Sequence, residues 1–289
     1  MKKTFFLSLI LFFSISLSSV LYAQEEKTFV TVNTVDGNQY TGTVVSENAE
    51  FIELNTEALG VLKIMKSNIE SRSEARGKMR DGKLWLDNTQ STRYFWAPNG
   101  YNLRKGEGYY QNILVFWNQA SYGFTDNFSV GAGIIPLFLF GKETAEYTPF
   151  FVIPKFSIPI MKDKLNVGLG AVVGTAGFQN FLALPFGVLT IGNREKNLTF
   201  GAGGFFLEGE NSDPFFTVSG MLRVSRNTYL MSENYFVTTP DLQTVVSLGA
   251  RSIFRRVSID YGLVFPLPND SGIFAMPFLG ISIPFGKKI

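Results

Sequence analysis

The chain has 289 residues, of which 45% are hydrophobic and only 17% charged, with 29 Phe and 28 Gly. Globular chains average about 25% charged residues, so this one is charge-poor, aromatic-rich and far too apolar to stay disordered. It contains neither Cys nor His, which excludes a disulfide framework, thiolate zinc sites and Ser-His-Asp or Cys-His catalysis.

Met1 to Ala23 has two basic residues, Lys2 and Lys3, then an apolar run from Phe5 to Val20, then a small residue at Ala23. This is the pattern of a secretory signal peptide. Removing it takes two of the 26 basic residues and none of the 24 acids, so the mature chain is neutral. A neutral chain lacks the charge that draws proteins to nucleic acid, and no nucleic-acid partner is expected. No later stretch is apolar for the ~18 residues that a membrane helix needs.

Residues 24–71 read as a small β module. Phe29 to Val35, Tyr40 to Val45, Phe51 to Leu54 and Val61 to Met65 are short strands, Asp36-Gly37 is a hairpin turn, and Ser67 to Glu70 is one helical turn. The series DG-x-x-Y-x-G-x-V, I-x-L-x-T, G-x-L-x-I and a closing I-E resembles small Sm-like or SH3-like barrels. That resemblance implies a spacer or docking domain with a protein or peptide partner. Residues 72–91 alternate charges (Arg72, Glu74, Arg76, Lys78, Arg80, Asp81, Lys83) and read as a charged linker or an exposed helix.

Beyond residue 91 the chain becomes a series of aromatic- and glycine-rich runs with a period of two, the signature of strands. In Val257 to Phe265, for example, Val257, Ile259, Tyr261, Leu263 and Phe265 oppose Ser258, Asp260 and Gly262. We read about twelve strands, near 92–98, 108–124, 128–140, 148–161, 165–175, 181–192, 198–208, 215–225, 228–238, 244–254, 257–266 and 273–286, each long enough to cross a bilayer. Residues 92–289 are therefore expected to close into an antiparallel transmembrane β-barrel, since hydrocarbon tolerates no open sheet edge. Pro154, Pro185 and Pro277 fall inside these strands and would mark bulges. RYFWAPNGYNLRKGEGYYQN, YGFTDNFSVGAGIIPLFLF, SENYF and the terminal GISIPFGKK resemble an uncharacterised family of Gram-negative outer-membrane β-barrel proteins over about residues 85–289. The resemblance implies fold and location and brings no assigned activity or functional residues.

The connections alternate between a short set (125–127, 162–164, 193–197, 225–227, 255–256) and a longer set (99–107, 141–147, 176–180, 209–214, 239–243, 267–272), as periplasmic turns and outer loops do. The short set with the tail holds basic residues such as Lys162, Lys164, Arg194, Arg226, Arg255 and Lys287. The long set holds Glu107, Glu143, Glu146, Glu208, Glu210, Asp213, Asp241 and Asp270. An even strand number places the N-terminal module in the periplasm.

Five charges within the strands form the candidate site. Lys155 sits opposite the lipid-directed Phe150, Val152, Phe156 and Ile158, and Arg223, Arg251 and Asp260 each share a face with small or polar residues, so all four should point into the lumen; Glu233 could lie on either face. Glu233 and Asp260 are each expected to pair with an arginine. With Arg93 in the first strand, four basic residues face at most two acids. The set either braces the lumen through ion pairs or forms a weakly anion-preferring constriction. Gly131-Ala132-Gly133 and Gly168-Leu169-Gly170 lie mid-strand with no helix start after them, so they read as close packing rather than a phosphate cradle. No cofactor, metal or catalytic residue is expected. The barrel is read as non-enzymatic, with outer-membrane lipid as its surroundings. It serves either as a narrow pore for small solutes or as a poreless anchor for the N-terminal module.

Overall fold

The computed structural model describes residues 27–80, 83–141, 148–176, 180–207, 214–238, 243–254, 257–267 and 275–286. The signal-peptide reading of residues 1–23 lies outside them, as do most of the long acidic connections.

The N-terminal module is a six-stranded antiparallel sheet: β1 (Lys27–Thr34), β2 (Gln39–Glu47), β3 (Phe51–Thr56), β4 (Gly60–Met65), β5 (Ile69–Arg80) and β6 (Lys83–Leu86), in the spatial order β4-β3-β2-β1-β5-β6. Val30, Val32, Ile52, Leu54 and Ile64 form its core. Gly37 takes a φ of +82° in the β1–β2 turn, a conformation that favours glycine. The charged stretch read as a linker or helix is instead the long strand β5, with Lys27↔Gly77 to Asn33↔Ser71 in register against β1. Its alternation of charge has the strand period of two.

The second sheet is a closed barrel. Its strands are β7 (Glu107–Ile113), β8 (Trp117–Gly123), β9 (Phe128–Ile134), β10 (Phe150–Met161), β11 (Leu165–Ala176), β12 (Asn180–Gly192), β13 (Lys196–Gly204) with its continuation β14 (Phe206–Leu207), β15 (Pro214–Arg223), β16 (Thr228–Val237), β17 (Gln243–Phe254), β18 (Val257–Leu267) and β19 (Met276–Gly286). Counting β13 and β14 as one wall position gives twelve. First and last strands seal the wall, from Gly280↔Ile113 to Gly286↔Glu107. The walls are inside out. Leu169, Phe200, Leu230, Leu248, Leu263, Leu279 and Ile283 are exposed, while Gln111, Ser129, Thr199, Ser219, Ser247, Ser258 and Ser282 are buried. Such an exterior is stable in hydrocarbon, and closure satisfies every wall position there.

The twelve observed strands are not the twelve read from sequence. Residues 92–98 are no wall strand, and 108–124 is two strands joined by a three-residue hairpin at Leu114–Phe116. The turn was hidden because Leu114 and Val115 hold φ of 50° and 69° without glycine or asparagine. Asn118 compensates, donating from Nδ2 to the Val115 carbonyl at 2.9 Å. The strand total survives because one gain cancels one loss. Nor do Pro154, Pro185 and Pro277 mark bulges: Pro154↔Val130, Pro185↔Ala171 and Pro277↔Leu263 keep register. The one register shift in β10 lies between Pro159 and Met161.

Candidate functional site: a lumen filled by the chain's own segment

Residues 88–106 leave the module, enter the barrel and return to begin β7. Both feet sit at the end that carries the short turns. On the entry side Arg194 of the β12–β13 turn donates to Ser91 Oγ at 2.8 Å and to the Asn102 carbonyl at 2.8 Å. On the return side Asn102 donates to the Thr125 carbonyl, and the Lys105 N–H donates to Asp126 at 2.8 Å. Glu107 and the segment before it therefore belong to this end, not to an outer loop. At the tip, Arg93 and Pro98 form an isolated bridge around Tyr94–Ala97. The segment is a plug, and its Tyr94, Phe95 and Asn99 are almost wholly buried.

The lumen charges hold this plug. Arg251 clamps Asp260 through two bonds, Nε to Oδ1 at 2.6 Å and Nη2 to Oδ2 at 2.8 Å. The same guanidinium donates to the carbonyls of Gln90 at 2.6 Å and Tyr94 at 2.7 Å. Arg93 reaches the same carboxylate from the plug, at 2.9 Å, and also donates to Ser282. Asp260 is thus shared between one wall cation and one plug cation.

Glu233 points inward and is fully buried, which resolves its face, but among the described residues no arginine pairs with it. Its carboxylate accepts the backbone N–H groups of Phe95 at 2.8 Å, Trp96 at 3.0 Å and Ala97 at 3.0 Å, and the Tyr235 hydroxyl at 2.8 Å. Three backbone N–H groups take the place of an arginine here because the tight tip aims them at one carboxylate. Lys155 also points inward and donates to the carbonyls of Tyr101 and Thr92. Arg223 lies at the inner rim, paired with Glu195 at 2.8 Å and set over the Tyr229 ring. Four of the five residues read from sequence therefore converge on the plug, and Arg223 stands apart.

Sequence reading missed the plug partners: Arg93 as a plug cation, Arg194 as a turn residue reaching inward, and Tyr94. The Tyr94 hydroxyl donates to Asn197 at 2.6 Å and contacts Thr199 at 2.6 Å. One signal was present. Asn88, Thr89, Gln90, Ser91, Thr92, Asn99 and Asn102 supply polar groups without alternation, which suits a segment surrounded by wall on all sides. Close packing explains both Gly-x-Gly pairs: a Cβ on Gly133 would sit 2.2 Å from the Asn118 carbonyl oxygen, and one on Gly168 would sit 2.9 Å from Val188 and 3.4 Å from the Asn99 carbonyl oxygen of the plug.

Above the plug tip a cavity of about 200 Å³ remains. Strands β7–β10 present Gln111, Gln119, Ser121, Ser129 and Lys155 together with Tyr109 and Ile153, and β11, β12 and β15 present Val172, Leu184, Phe186, Val188 and Phe215. Trp96 of the plug and Trp117 also line it.

Fold and lumen together define a transmembrane antiparallel β-barrel closed from within by its own chain. No family model matches the chain, and no curated protein matches it in sequence. Among solved structures it is similar to OpdQ of Pseudomonas aeruginosa (9% identity, 90% of this chain against 96% of that one, TM-score 0.36) and OprD of the same organism (9%, 90% against 94%, 0.38). It is also similar to OmpF of Salmonella typhi (8%, 90% against 95%, 0.35). Likeness of this degree assigns neither a solute nor an activity.

Proposed function

We propose that the protein is an outer-membrane barrel that is sealed by residues 88–106 and anchors the N-terminal module at the periplasmic face, where a protein or peptide partner would meet it. The observation that carries this reading is the engagement of Arg93, Arg251, Asp260, Glu233 and Lys155 with one another or with the plug backbone. With the arginines and carboxylates engaged on the plug, the constriction reading loses most of its groups. The ion pair of Arg226 in an inner turn with Glu57 of the module, at 3.1 Å, supports placing the module at that end. The pore reading survives only for a state in which the plug has moved.

The test is a conductance trace of the purified full chain in a planar bilayer. The wild type should be silent. Glu233→Ala together with Arg251→Ala, which removes both tip and stem contacts, should produce open events. A steadily conducting wild type would overturn the sealed-barrel reading.

A further inference from the structure

We propose that the cavity above the plug binds a small amphipathic monocarboxylate, with its apolar body against Phe186, Phe215 and Trp117 and its carboxylate toward Lys155. Three independent features lead there. The first is the two-sided lining. The polar groups are concentrated on β7–β10, among apolar ones such as Trp117 and Ile153, while β11, β12 and β15 present mainly aliphatic and aromatic side chains, and such a surface selects a ligand with one polar end.

The second feature is charge. Of the groups buried at the plug tip and on the surrounding strands, Arg93, Lys155 and Arg251 are basic, and Glu233 and Asp260 acidic. Asp260 serves both arginines and Glu233 serves backbone donors. Lys155 therefore has no carboxylate within ion-pair distance among the described residues. An ammonium has three donors, and two carbonyls occupy two of them. A buried cation without a counter-ion is costly, and an incoming anion removes that cost. The buried Nε of Arg93, a residue that lines the cavity, has no hydrogen-bond partner among the described residues. Ser129 stands directly across from Lys155 on β9.

The third feature is size. A dry cavity of about 150 Å³ accepts a benzene ring, so about 200 Å³ takes one ring or a short alkyl chain with a carboxylate. The aromatic rings leave that space because they lie against glycines. Phe186 packs over Gly170 and Phe215 over Gly203, where a Cβ would come within 2.6 Å and 2.4 Å of the ring.

The site needs the plug as its floor, so it rests on the sealed-barrel reading. The bilayer trace tests the plug and a binding titration tests the site, which keeps the two failures distinguishable. The chain has three Trp, and two of them, Trp96 and Trp117, line the cavity. Intrinsic fluorescence of the full chain in detergent is therefore the readout, with hexanoate as probe and hexan-1-ol and acetate as controls. Hexanoate should give a saturable change at least tenfold tighter than either control. Lys155→Met should abolish that advantage while leaving hexan-1-ol unaffected. Leu184→Trp, which fills the cavity, should remove both. Equal binding of hexanoate and hexan-1-ol by the wild type would overturn the role of Lys155. Equal binding of acetate would overturn the role of the apolar wall, and no saturable change with hexanoate would overturn the site. The wild-type comparison decides the matter even where Lys155→Met fails to fold.

Discussion

Asp260 ties the plug to the wall through charge, since it answers Arg251 on the wall and Arg93 on the plug at once. Removing one member of a buried ion pair strands its partner, at a cost of about 3–5 kcal/mol. Asp260→Ala strands two cations, so it should lower barrel stability more than Arg251→Ala. The shift of the heat-dependent gel mobility between folded and unfolded forms measures both, and an equal or reversed order would count against the shared-carboxylate geometry. In the module, Lys66 and Arg72 beside Glu47 hold its carboxyl below the usual 4.5. The Thr34 and Asn38 side chains do the same for Asp36, below its usual 3.8. A depressed carboxylate contributes stability that is present above the unfolded value and lost as pH falls through the folded one. Carboxyl NMR of the full chain in micelles should place the Glu47 midpoint below 4.5, and Lys66→Ala with Arg72→Ala should return it. The inward direction of Arg251 and Asp260 was legible from alternation alone. Their true partners were not, because backbone carbonyls of a distant segment leave no mark in the residue pattern.

At the scale of elements, the β7–β8 hairpin and the plug show where sequence reading stops. Period and composition locate a strand well when a turn residue closes it. Leu114 and Val115 offer no such residue, and a β-branched side chain at positive φ is uncommon. The left-handed conformation costs about 1–2 kcal/mol for an ordinary residue. Replacing Leu114-Val115 with Asn-Gly should therefore raise stability by about that amount in a denaturant series, with no change in fold. The plug fails differently. RYFWAP has strand-like aromatics, yet Pro98-Asn99-Gly100 follows at once, and only tertiary surroundings turn it into a buried tip. Gly100 lets the returning leg press against β11, where a Cβ would lie 2.6 Å from the Asn166 carbonyl oxygen. Gly100→Ala should loosen the plug by about 1–3 kcal/mol, seen as an earlier onset of bilayer conductance with temperature.

For the whole molecule, the wall closes because an even set of strands returns the chain to its starting end. That parity, together with the alternation of short and long connections, was readable from sequence despite two misplaced strands. Moving 99–107 to the inner end takes Arg104 and Lys105 with it, leaving the outer connections with Lys142 as their basic residue against seven acids. An epitope inserted at 162–164 should be reached by antibody only after permeabilisation, and one inserted in the β18–β19 connection should be reached on intact cells. The opposite labelling would invert the barrel.

The plug's two feet share one mouth, so the segment is never threaded through the wall. Wall closure and lumen filling are thus separable events in assembly: the strands can zip shut in the bilayer while residues 88–106 still wait outside, and the hairpin can enter afterwards through the end that carries the short turns. The same geometry makes removal mechanical rather than topological. A load applied to the module enters the plug at its Asn88 foot, and the contacts of Gln90, Arg93 and the Glu233-bound tip would then part in succession, like a peeled strip. The sealed barrel could be opened by traction from one side and reseal when released, without a single wall hydrogen bond being broken.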